Sequence, residues 1–112
     1  MVLATVIEKL ELGVKTSQPN LSSEVSGVYV SDLLSDVMAN AKEGNLWITL
    51  QIHPNIVAVA VLKELSGIIL VNNRVPETET LMNAEKEQIP ILVSGLPAFV
   101  LAGKLYNLFG EC

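Results

Sequence analysis

Apolar residues recur along this chain at two spacings, and the alternation between those spacings outlines the fold. Leu3, Val6, Ile7 and Leu10 stand at helical intervals, so residues 3–10 predict a short amphipathic helix. Leu12, Val14 and Thr16 alternate with polar neighbours and predict a short strand. Residues 17–23, Ser-Gln-Pro-Asn-Leu-Ser-Ser, carry loop chemistry. Residues 25–30 then predict a strand, and either side chain of Ser31-Asp32 suits the cap of a helix start. That helix takes its apolar stripe from Leu33, Leu34, Val37, Met38 and Ala41. Glu43-Gly44-Asn45 ends it, because the glycine is free to take the left-handed conformation. Residues 46–52, Leu-Trp-Ile-Thr-Leu-Gln-Ile, predict a strong strand.

Residues 53–66 admit two readings. The β-branched run at 56–62 favours a strand. A helix is favoured by Pro54, which suits a first helical turn, and by Lys63-Glu64-Leu65-Ser66-Gly67, which reads as a helix end with a glycine stop. It also keeps the alternation of strand and helix around it, and such an apolar helix should be buried against the sheet. Residues 67–71 predict a buried strand, and Asn72-Asn73-Arg74-Val75-Pro76 a turn. Residues 77–88 predict an exposed, acid-rich helix with Leu81, Met82 and Ala84 facing inward. Residues 89–93 form the last strand, and Ser94-Gly95-Leu96-Pro97 opens a final helix, apolar nearly all round, that runs through Phe109. From residue 25 onward the order is strand–helix, four times over. Helical crossovers between short apolar strands imply an α/β fold: a mainly parallel sheet with helices on both faces. The N-terminal helix and strand would add an edge. With no linker or repeat, residues 1–112 are expected to form one domain.

Composition narrows the function classes. Half the residues are hydrophobic and the mean hydropathy is +0.46, yet the longest apolar run, residues 56–62, has only seven residues. A membrane helix needs about 20, so no membrane association is expected. The first residues show no basic start or cleavage site, and the only cysteine is Cys112. A reducing cytoplasm is the expected setting. Seven basic residues face twelve acidic ones, for a net charge of −5. The six lysines are scattered and Arg74 is the only arginine. This argues against nucleic-acid binding, where phosphate neutralisation dominates affinity. An aromatic content of 4% leaves few stacking platforms.

In an open parallel sheet, ligands bind beyond the C-terminal strand ends, near a switch in strand order, where helix N-termini gather. Four turns should meet there, and they hold the candidate ligand-binding residues: Ser31, Asp32, Gln51, His53, Asn55, Asn72, Asn73, Arg74 and Ser94. Turns are polar in any protein, and Asn, Asp and Ser also serve them structurally. His53, the only histidine, reads either as a proton-responsive ligand contact or as a polar helix cap. Arg74 reads as a two-point contact to carboxylate or phosphate, or as a solvated loop residue. No His/Cys/Asp/Glu set stands at metal-ligand spacing, and no cofactor is expected. Gly44, Gly67 and Gly95 make no phosphate-binding loop. Ser22, Ser23 and Ser94 lack the His–acid support of an activated nucleophile.

One stretch resembles a known family. Gly44-Asn45-Leu46-Trp47-Ile48-Thr49 is similar to the Gly-Asp-hydrophobic strand of DRTGG domains. His53-Pro54-Asn55-Ile56, an Ala/Val-rich helix, Gly67-Ile68-Ile69-Leu70 and a turn ending at Pro76 follow it in that order. DRTGG domains are small α/β modules. They occur beside CBS domains and in some phosphotransacetylases, and resemble the N-terminal domain of HPr kinase/phosphorylase. The resemblance covers nearly the whole chain and implies a regulatory rather than catalytic role. The naming motif is absent: its Asp-Arg falls on Ile52-His53, and its Thr-Gly-Gly on Val71-Asn72-Asn73. No functional residue of that motif carries over. Asn72-Asn73, which tolerates left-handed backbone geometry, would replace the glycines structurally.

The expected function is a non-catalytic regulatory module. It would bind a small anionic or nucleotide-like ligand at the C-terminal edge of its sheet. A homodimer is also expected, because the apolar residues of the final helix exceed one face; the alternative function is a homodimeric module that docks a protein partner through its apolar helices, with no small ligand.

Overall fold

The computed structural model describes residues 1–17 and 20–110. Gln18 and Pro19 of the 17–23 loop, and Cys112, lie outside the described residues. The elements are α1 (Leu3–Leu10), β1 (Gly13–Val14), β2 (Gly27–Val30), α2 (Leu34–Asn40), β3 (Asn45–Thr49), α3 (Asn55–Leu62), β4 (Gly67–Leu70), α4 (Thr78–Glu87), β5 (Ile91–Val93) and α5 (Ala98–Phe109).

They build one five-stranded sheet in the order β1-β5-β4-β3-β2. β2 through β5 are parallel neighbours, and β1 runs antiparallel along β5. Every step from β2 to β5 goes the same way across the sheet. Right-handed crossovers therefore put α2, α3 and α4 on one face. Their Val37, Ile56, Ala60 and Ala84 pack there with Trp47, Ile68, Leu70 and Ile91. α5 crosses to the other face, over β2 and β3, where Leu101 and Leu105 join Leu3 and Val6 of α1 against Leu46, Ile48, Ile69 and Leu92. Alternate residues of β3 thus feed opposite cores, which is why β3 and β4 are buried throughout. The expectation of an α/β fold with helices on both faces is met. Residues 56–62 lie within α3, as expected from their place between two strands.

Several local expectations are corrected. Leu33 is the first cap position of α2 and no side chain caps that helix; Ser31 and Asp32 make other bonds, described below. Of the apolar stripe, Val37 and Ala41 are buried, but Leu33 and Met38 are exposed. α3 ends before any glycine. Glu64, at φ +54°, makes the left-handed turn, while Gly67 opens β4, 3.2 Å from the Pro90 carbonyl at its Cβ position. In α4, Ala84 is buried as expected and Thr80 joins it, whereas Met82 is 65% exposed. Val14 is exposed while Leu12 and Thr16 are buried, since the edge strand is only two residues long. Gly44 does take the left-handed conformation, at φ +82°, although α2 has already ended at Asn40.

No helix among the described residues is long and apolar enough to cross a membrane.

Candidate functional site

Because β2, β3, β4 and β5 are parallel, the segments after them emerge along one rim. The nine candidate residues all lie on those segments. The strand order has no reversal between β2 and β5, so no switch-point crevice opens between neighbouring parallel strands. The rim is instead organised as two tied clusters, with His53 after β3 and Arg74 after β4 left exposed in its middle.

The first cluster joins the exits of β2 and β3. Asp32 Oδ1 accepts the Leu50 N–H at 2.7 Å and the Thr49 hydroxyl at 2.8 Å. Thr49 Oγ1 in turn accepts the Gln51 N–H at 3.1 Å, and Gln51 Nε2 donates to the Asp32 carbonyl at 2.9 Å. Ser31 supplies its carbonyl to the indole N–H of Trp47 at 2.7 Å and its hydroxyl to the Leu33 N–H at 3.2 Å. Asp36, one turn on, is held below the usual carboxylate range by hydrogen bonding from Ser31 first, then Tyr29 and Asn40. The same contact raises the Tyr29 phenol, which donates to both Asp36 oxygens at 2.9 and 2.8 Å. Ser31, Asp32 and Gln51 are therefore brought together, but their hydrogen bonds are directed into the loop.

The second cluster joins the exits of β4 and β5. Asn72 and Asn73 both adopt left-handed backbone, at φ +57° and +54°. This geometry lets the Asn72 N–H reach the Leu96 carbonyl at 3.0 Å and the Asn73 N–H reach the Ser94 carbonyl at 2.9 Å. Asn is among the few non-glycine residues that visit this region readily. Ser94 is buried, and its Oγ accepts the Leu96 N–H at 3.1 Å.

Between the clusters, His53 Nδ1 accepts the Asn55 N–H at 3.0 Å at the start of α3. That bond occupies Nδ1 and leaves Nε2 as the outward nitrogen of an exposed ring. Arg74 is exposed, and its guanidinium has no partner among the described residues. The described residues contain no group of three or more His, Cys, Asp or Glu side chains able to hold a metal ion.

Three hollows lie near these elements. One of about 420 Å³ separates α3 from α4, bounded by Pro54, Val57, Leu62 and Lys86. One of about 350 Å³ separates β2 from α5, bounded by Val28, Val30, Leu105 and Tyr106. The third, about 290 Å³, reaches the rim itself at Ser94 and Gly95 and is also lined by the exposed Lys9 and Lys104. Sequence reasoning missed Thr49, Lys9 and Lys104. Thr49 was marked by a hydroxyl inside an otherwise apolar strand. The lysines carried no local signal, because α1 and α5 meet only in three dimensions.

No protein-family model matches the chain, and no curated protein sequence matches it. A solved structure does. The crystal structure of the CBS and DRTGG domains of the regulatory region of Clostridium perfringens pyrophosphatase, complexed with the activator diadenosine tetraphosphate, superposes with a TM-score of 0.72. The two are 16% identical over 93% of this chain and 47% of the other, so this chain spans about half of that one. With its mainly parallel five-stranded sheet and two helical layers, the chain has a DRTGG-like fold.

Proposed function

We propose that this chain is a regulatory binding module without catalytic activity, and that it holds a small anionic or nucleotide-like ligand at the C-terminal rim of its sheet. The observation that carries the reading is the exposure of His53, after β3, and of Arg74, after β4, in the middle of the rim. His53 and Arg74 offer accessible nitrogen donors there, beside Ser31, Asp32 and Gln51, whose side chains are engaged within the loops. The structurally similar regulatory region was crystallised with a nucleotide activator, which supports a ligand of that class.

The test is a thermal-shift screen of the full chain against nucleotides and phosphorylated metabolites. A ligand at 100 times its Kd stabilises the native state by about 2.7 kcal/mol, which raises the melting temperature measurably. The His53→Ala and Arg74→Ala variants should fold normally and lose most of that shift. A broad screen with no stabilising ligand overturns the proposal, and normal binding by both variants overturns the placement.

A second reading has its own observation. β2 is a free edge of the sheet. Since the Ser31 N–H donates to the Ile48 carbonyl, alternation directs the N–H and C=O groups of Val28 and Val30 away from β3. The apolar hollow beside them is continued by Tyr106, 59% exposed, and Phe99, 89% exposed, on α5. A second copy of the chain, paired edge to edge, would cover this surface. Light scattering distinguishes the readings: a monomer at high concentration removes the dimer.

A further inference from the structure

We infer that the hollow between the end of α1 and the start of α5 is a subsite for a phosphoryl-type anion. The inference rests on the proposed anion-binding function and gives the ligand's charged group a seat. Four observations converge there. Lys9 and Lys104 come from different helices and line the same hollow of about 290 Å³. Neither forms an ion pair among the described residues, where the single ion pair is that of the N-terminal amine with Glu24. Two of the seven basic residues of an acidic chain, both exposed, thus line one hollow without an ion-paired counter-charge. The Gly95 N–H, on the same wall, has no hydrogen-bond partner among the described residues.

The fourth observation concerns Ser94, which also lines the hollow and is only 4% exposed. Its oxygen accepts the Leu96 N–H, but its own O–H has no acceptor among the described residues. A buried hydroxyl with an undelivered proton gains from an anionic acceptor, since a hydrogen bond to a charged group contributes more than one to a neutral group. Two ammonium groups, one amide N–H and one hydroxyl are all donors. Glu11 is the only anionic group on the wall; it leaves one net positive charge and disfavours a crowded polyanion. The donor set matches a single compact anion such as a phosphate or the phosphoryl group of a monoester, with each lysine acting as a point charge.

The experiment is an amide-resolved NMR titration of the full chain at constant ionic strength, with inorganic phosphate in one arm and adenosine 5′-monophosphate in the other. Gly95 and Leu96 should shift saturably in at least one arm. Saturation by phosphate identifies the free ion as sufficient; saturation by the nucleotide alone identifies the monoester. The K9Q/K104Q double variant should raise the dissociation constant at least tenfold, and Glu11→Gln should lower it several-fold. Unmoved Gly95 and Leu96 in both arms, or unchanged affinity in the double variant, overturn the subsite. If the nucleotide shifts residues 51–55 and 72–74 but leaves Gly95 unmoved, the subsite fails while the rim reading stands. If nothing shifts in either arm, the subsite fails, and the broad thermal screen decides the rim reading separately.

Discussion

The Asp32 carboxylate lies 2.8 Å from the Thr49 hydroxyl, so the residue leaving β2 is tied to the last residue of β3. The same oxygen also accepts the Leu50 N–H at 2.7 Å. One acidic side chain therefore stitches together two neighbouring strand exits that parallel pairing alone would leave loose. Asp32→Ala removes the acceptor for both donors. Water can replace the acceptor at the exposed Leu50 N–H but less readily at buried Thr49, and the expected loss is about 1–2 kcal/mol. Urea unfolding followed by Trp47 fluorescence reads it directly. An unchanged midpoint would show that the two exits hold together without Asp32.

Thr16 points the other way. Its Oγ1 is buried and has no hydrogen-bond partner among the described residues. Thr16→Val keeps the shape and removes the unsatisfied group, so the variant should be more stable by about 1 kcal/mol. A lowered melting temperature would mean that the hydroxyl has a partner in solution.

Gly44 combines left-handed backbone with close contact. At φ +82°, an added Cβ would sit 2.8 Å from Ser26 Oγ. That hydroxyl is held by the Glu43 carbonyl at 2.7 Å and by Asn45 Nδ2 at 3.1 Å, so it cannot easily move away. Gly44→Ala should therefore cost about 2 kcal/mol, more than the roughly 1 kcal/mol of left-handed strain alone. A double variant that also carries Ser26→Ala should recover the excess. No recovery would assign the whole cost to the backbone.

Glu85 carries a pH dependence. Its carboxyl is held below the usual range by Ser17, through the hydroxyl first and then the backbone N–H, which reaches both oxygens at 2.9 and 3.0 Å. A carboxyl lowered in the folded state binds its proton more weakly there than in the unfolded chain. Its stabilisation is present above the unfolded-state carboxylate range and is lost as pH falls through the lowered folded value. Wild type should therefore exceed Glu85→Gln in stability at neutral pH, and the two should converge in acid. Urea midpoints measured from pH 7 down to pH 3 check this. A gap that persists below the folded-state value would rule out the proton linkage.

Much of the architecture could be read from spacing. The helical periodicity of Leu3, Val6, Ile7 and Leu10, the apolar strands at 46–52 and 67–71, and their alternation with helices all depend on near neighbours. Near neighbours decide which face of an element is apolar. Even the ambiguous residues 56–62 followed from this logic, because a helix was needed between two parallel strands. Tertiary structure decided what near neighbours cannot. Asp32 reads as a helix cap by its position, yet it serves β3, since the parallel register brings Leu50 within its reach. Met82 has the hydropathy of a core residue, but the sheet turns α4 so that Thr80 and Ala84 face inward. Lys9 and Lys104 look like scattered surface charges in sequence, and only the return of α5 across the sheet sets them around one hollow. A hydrophobic pattern specifies which side of each element avoids water. Which polar groups then meet is set by strand order and by the direction of each crossover, and those depend on the whole chain at once.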